Sequence, residues 1–213
     1  MLGVLGYLVK WHYAWFMESK IPPVGLIAVG CGLAFPAEIN ITNTTDLPEG
    51  FEVNVNVRYS PEQARYVLHS LAITGTGPMS EVNGTVLRTL PVHRYLQEAT
   101  SNLYFWNLDD ELFSSKPAEH VLVENAEYFI KQGPSPETLA VVVQIYRIAE
   151  ILNLKTALHV QKSFGIPYAT AGSWIARAKA QRLFPSEESI MADQERLIEQ
   201  IPKIVEAFNP GGK

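Results

Sequence analysis

The chain has 213 residues, 47% of them hydrophobic and 18% charged, which is enough to bury a core of one or two domains and excludes a disordered chain. One cysteine, Cys31, excludes an internal disulfide, and histidines scattered at 12, 69, 93, 120 and 159 offer no ligand spacing for a Cys/His metal framework. The net charge of −5 argues against nucleic acid only until its distribution is read, and the thiol count suits a reduced, cytoplasmic setting.

Residues 1–36 form an apolar N-terminal segment that reads in three ways. Trp11, His12, Tyr13, Trp15 and Phe16 precede Pro22-Pro23 and an uninterrupted apolar run over 24–35. That run is shorter than the ~20 residues a bilayer span requires, which argues against a membrane partner. Ala28-Val29-Gly30-Cys31 resembles a lipoprotein processing box, although the segment before it is long and contains Glu18. A strand or helix packed on the core, an extension upstream of a second start at Met17, and a membrane or export element all stay open.

Residues 37–131 read as a small α+β domain. At 51–59, Phe-Glu-Val-Asn-Val-Asn-Val-Arg-Tyr alternates apolar and polar, the period of a strand with one wet face. Ser60-Pro61-Glu62-Gln63 supplies a turn, and 65–74 pairs back as a hairpin. Residues 38–44, with Ile39 and Ile41, predict a third strand before the turn Asp46-Leu47-Pro48-Glu49-Gly50. So small a meander needs a cover. Val82, Val86 and Leu90, then Tyr95, Leu96 and Ala99 beyond Pro91, have the helical spacing to supply it, with Pro91 starting a new helix or kinking the first. Residues 101–118 show no sustained period and read as a connection, and a short helix is expected around 119–131. Gln132-Gly133-Pro134-Ser135-Pro136 reads as a linker.

From 137 to 213 the pattern is helical throughout. Ser135 or Pro136 opens a helix carrying Leu139, Val142, Val143, Tyr146 and Ala149. A second helix, 155–164, stops at Gly165, the residue type that takes a left-handed turn cheaply. Ile166 plugs that turn, and a third helix runs from about Tyr168 to Arg182 with Ala171, Trp174, Ile175 and Ala178 on one face. This spacing predicts a helix-turn-helix. The opposite face carries Thr170, Ser173 and Arg177, with Tyr168 at the helix start, where hydroxyls and a guanidinium suit base edges in a major groove. Lys155, Thr156, Lys162, Lys179 and Arg182 are expected to hold the phosphate backbone. Between positions 150 and 187 there is no acid, so the window carries +5 and the remainder of the chain −10. A solvated basic face is the plain alternative.

These residues carry a resemblance. Ile145-Tyr146-Arg147-Ile148-Ala149, Val160, Gly165-Ile166, Thr170-Ala171, Trp174-Ile175-Ala176-Arg177-Ala178 and Leu183-Phe184-Pro185 resemble the helix-turn-helix DNA-binding proteins widespread in actinobacteria and their phages. Leu47-Pro48-Glu49-Gly50, the strand pair and Leu87-Arg88-Thr89-Leu90-Pro91-Val92 extend the similarity to residues 45–185. It implies a cytoplasmic DNA-binding protein, a regulator of a largely uncharacterised kind. The chain departs from the pattern at Gln161, where a small residue is frequent, at Ser173, where a basic residue often stands, and at Arg182, where glycine is common.

Beyond Pro185, Ile190, Leu197, Ile201, Ile204 and Phe208 form one stripe that Pro202 is expected to kink or split. That helix packs back on the module or pairs with a second chain. Gly75-x-Gly77 lacks the Lys-Ser/Thr of a phosphate loop, and Asp109-Asp110-Glu111 reads as a solvated turn rather than a cation site. No nucleophile–base arrangement has local support, so no enzyme and no cofactor are expected. The expected partner is double-stranded DNA, with a homodimer and a protein partner for the α+β unit as further expectations. The alternative is a non-catalytic adaptor or phage accessory protein that uses the helix-turn-helix against another protein.

Overall fold

A computed structural model of the chain describes residues 25–43, 50–78, 80–101 and 103–208. The aromatic cluster at 11–16 and most of the turn at 46–50 lie outside the described residues. The fold is α+β, with strands toward the N-terminal side and helices following.

The alternation at 51–59 folds as expected. Strands β1 (Leu26–Gly30), β2 (Leu33–Pro36), β3 (Glu38–Asn43), β4 (Phe51–Ser60) and β5 (Arg65–Gly75) come first. β3, β4 and β5 form an antiparallel meander, with Ile39 opposite Val57 and Val53 opposite Ile73. Val53, Val55 and Val57 point into the core. On the other face Asn54 accepts from the Thr42 hydroxyl at 2.8 Å, and Arg58 donates to Glu38 at 3.0 Å. Such cross-strand pairs fix register on a wet face.

The apolar run at 24–35 is a hairpin from Leu26 onward, and β1 and β2 lie in a second antiparallel sheet of order β1-β2-β6-β7. β6 (Trp106–Asn107) and β7 (Leu112–Phe113) come from the stretch expected to be only a connection. The β1–β2 turn is Cys31-Gly32 with φ of 59° and 68°, the two left-handed residues that match a tight hairpin to strand twist. Cys31 therefore sits at a hairpin tip, and burial pushes its thiol up to about 11. Its β1–β2 hairpin is buried on both faces: Val29, Leu33 and Phe35 face the main core, while Ala28 and Ala34 face a second cluster.

Two helices follow the meander, α1 (Gly84–Arg88) and α2 (Val92–Thr100). α1 is capped by the Asn83 side chain, which accepts from Thr85 N and Val86 N. Pro91 opens α2, and Tyr95 and Ala99 of α2 are buried where it packs on β3, β4 and β5. Val82 is exposed and takes no part in this cover. The helix expected at 119–131 is shorter: a 3-10 turn, Ala118–His120, then α3 (Ala126–Gln132). Residues 133–135 make the corner into α4 (Pro136–Ile151), where Ser135 caps the helix by accepting from Thr138 N.

α4 is the centre of the molecule. Leu139, Val142, Ile145, Ile148 and Ile151 are each at most 2% exposed, because the sheets lie on one side of the helix and α5 (Thr156–Phe164) and α6 (Tyr168–Ala180) on the other. Arg147 is buried with them. Its guanidinium donates to Val29 O at 2.9 Å, Ala64 O at 3.1 Å, the Tyr59 hydroxyl at 2.6 Å and Glu150 at 2.6 Å. One buried cluster thus runs from Val29 and Val55 in the sheets to Val160 and Trp174 in the helix pair.

The last helix, α7 (Glu187–Phe208), is continuous, so Pro202 does not split it. It packs back on the chain against β1, burying Leu197 and Ile204 with Trp106 and Leu108. Asp193 accepts from Gly32 N and Gln194 from Ala28 N, both at 3.0 Å, and Trp106 Nε1 donates to Gln200 at 2.7 Å. The acidic triplet is paired rather than simply solvated: Asp109 with Arg196 at 2.6 Å, Asp110 with Asn107 at 2.7 Å and Glu111 with Lys203. Gly75 and Gly77 have a packing role, since a Cβ on Gly75 would run into Ser80 O and one on Gly77 would stand 2.9 Å from Ser80 Oγ.

Candidate nucleic-acid interface

The helix pair is built around one turn. α5 ends at Gly165 with φ 69° and ψ 29°, and Gln161 O accepts from both Gly165 N and Ile166 N. A Cβ on Gly165 would meet nothing within 4 Å, so the backbone conformation, not space, calls for glycine. Ile166 is buried in the turn, and Pro167 caps α6 with its carbonyl accepting from Ala171 N at 3.1 Å.

α6 is one-sided. Ala171, Trp174, Ile175 and Ala178 are buried, with the Trp174 ring 5.6 Å from Phe164 in an edge contact. Residues 169, 173, 176 and 180, spaced i, i+4, i+7, i+11, lie opposite that stripe and are all exposed. Ser173 is therefore at the centre of the open face, between Ala169 and Ala176, two small residues that a search for polar side chains does not find. Arg177 is exposed beside it, and Tyr168, 59% exposed, stands at the start of the helix. Thr170 is half-buried, nearer the core than expected, because it adjoins the buried stripe.

The basic residues divide among different sides. Lys179 stands over aromatic rings, its Nζ 5.2 Å from the Tyr146 centroid and 5.8 Å from that of Phe184, so it ties α6 to α4. Arg182 occupies a left-handed turn, φ 55°, after α6, a conformation that glycine takes most cheaply. Lys155 caps α5 through its backbone and is exposed, while Thr156 is half-buried. Lys155 and the exposed Lys162 share, with His159, the side of α5 that faces residues 116–124. Burial and the nearby Lys162 charge lower the His159 pKa from its ordinary value. Lys116 and His120, across from α5, are cationic or titratable neighbours that spacing along the chain gives no means of finding.

Among the described residues, Tyr168, Thr170, Ser173 and Arg177 make no side-chain hydrogen bond or ion pair within the chain, and Glu150, the acid bounding the window, is held by Arg147. No helix among the described residues is long and apolar enough to cross a membrane. No protein-family model, curated protein or solved structure matches the chain. What the fold defines is an α+β protein whose helical half presents a helix, glycine turn and helix with an open outer face.

Proposed function

We propose that the chain is a non-catalytic, cytoplasmic DNA-binding protein, a transcriptional regulator that reads the major groove with α6. One observation carries this reading: Trp174 turns inward while Ser173 and Arg177 are exposed and unpaired on the other side of the helix. The ridge of Ala169, Ser173 and Ala176 holds no bulky or acidic side chain, so the helix backbone can approach base edges closely, with alanine methyls suited to thymine methyls and Ser173 to either donor or acceptor. Arg177 lies where a bidentate contact to guanine or a phosphate contact is available. Lys155, Thr156, Lys162 and Arg182 supply positive or hydroxyl groups for the backbone. The sheets brace the helix pair through α4, and a homodimer would present two such helices to half-sites one turn apart.

A mobility-shift assay on source-genome fragments at two salt concentrations tests this. Affinity is expected to fall steeply as salt rises. Ser173→Ala with Arg177→Ala relaxes sequence choice, by about 1–3 kcal/mol for each bidentate base pairing removed, whereas Lys162→Ala weakens all sequences alike. Binding untouched by all three substitutions rejects the assignment. A second reading, an adaptor or phage accessory protein, draws on the same alanine ridge, since small exposed residues also let another helix pack closely. No retention on random duplex at low salt, together with a stable protein complex, selects it.

A further inference from the structure

A cavity of about 700 Å³ lies away from the open face of α6, between α5 and residues 116–124. Its α5 wall is Lys155, Leu158, His159 and Lys162, spaced i, i+3, i+4, i+7 and so on one side of the helix. Lys116 and Leu122 stand across from them. The two walls are tied together, because the Ser163 hydroxyl donates to Val121 O at 2.8 Å and Val123 N donates to Ser163 O at 3.0 Å.

The chemistry of the lining is mixed in a specific way. Three lysines stand beside leucines that the fold leaves open: Leu122 is 56% exposed and Leu154, also in the lining, 36%. Glu119 is the one acid in the lining and already lies 3.4 Å from His120. His159 is 7% exposed, and among the described residues its Nε2 has no hydrogen-bond partner. A buried polar nitrogen left unpaired is costly, so a partner for it is favoured.

We propose that this cavity binds a small organic anion, a carboxylate carrying a short apolar chain. The carboxylate accepts from the lysines, with His159 as the nearby buried group whose environment it changes, and the chain lies against Leu122, Leu154 and Leu158. The volume lies within the range of small-molecule sites. This inference does not rest on duplex binding by α6. Where both hold, the carboxylate competes with phosphates for Lys155 and Lys162 and lowers DNA affinity.

Titration of the full chain with hexanoate, hexanamide and acetate, followed by calorimetry and by the His159 ring resonances, tests it. Hexanoate is expected to bind saturably and shift the His159 resonances. Hexanamide, which lacks the charge, and acetate, which lacks the chain, are each weaker by about tenfold, the equivalent of about 1.4 kcal/mol. Lys155→Gln with Lys162→Gln weakens hexanoate by a similar factor. Glu119→Gln removes the repelling carboxylate and strengthens it about threefold. Absence of saturable binding by hexanoate overturns the inference. Equal affinity for hexanoate and hexanamide also overturns it. A chain that takes hexanoate but no duplex rejects the DNA reading and leaves this one standing.

Discussion

α4 and α6 belong to one helical module and use their side chains in opposite ways. α4 is enclosed by sheets on one side and helices on the other, so even its arginine, Arg147, is 4% exposed and donates four hydrogen bonds into the fold. α6 meets neighbours along one stripe only, and its arginine, Arg177, is open. The same residue type is a structural clamp in one helix and an open side chain in the other. Neighbours decide which, because a buried charge persists only where it is paired and hydrogen-bonded.

The comparison breaks most visibly at Arg147. Arg147→Ala leaves two carbonyls, the Tyr59 hydroxyl and Glu150 without their donor and is expected to lower unfolding free energy by about 3–5 kcal/mol in urea titration. A drop below about 1 kcal/mol, within the range of an exposed pair, would show that the clamp contributes little. The turn that aims α6 gives a smaller, two-sided test. Gly165→Ala forces a Cβ into a left-handed conformation and costs about 1–2 kcal/mol. Arg182→Gly relieves the same conformation and stabilises by about 1 kcal/mol, read as a rise in thermal midpoint. Smallest is Arg177→Ala, expected to change stability by less than about 0.5 kcal/mol while altering duplex recognition. A larger loss of stability would mean that the outer face of α6 is committed to the fold.

Legibility along the chain follows how many sides of an element are wet. β4 is readable from its alternation because one face carries Asn54 and Arg58 in solvent. β1 and β2 cannot be told from a helix, because Val29 and Leu33 face one core and Ala28 and Ala34 another, leaving a continuous apolar run. β6 and β7, two residues each, are too short to show any period. At the candidate interface, Gly165 and the stripe Ala171, Trp174, Ile175 and Ala178 are readable from spacing. Spacing places Thr170 on the open face, where it is half-buried, and it gives no sign that Lys179 stands over the Tyr146 and Phe184 rings. The period of α6 carries no information about either ring.

Local chemistry settled the elements that depend on near neighbours in the chain: the wet-faced meander, the caps at Ser135 and Gly165, and the helices between them. Periodicity and φ preference act over a few residues, and those residues are adjacent in the sequence. The partners of Arg147, the return of α7 onto β1, and the cavity walls joining Lys116 to Lys155 were decided only when distant segments met. Such contacts arise from packing the whole core, where one side chain's exposure depends on elements tens of residues away.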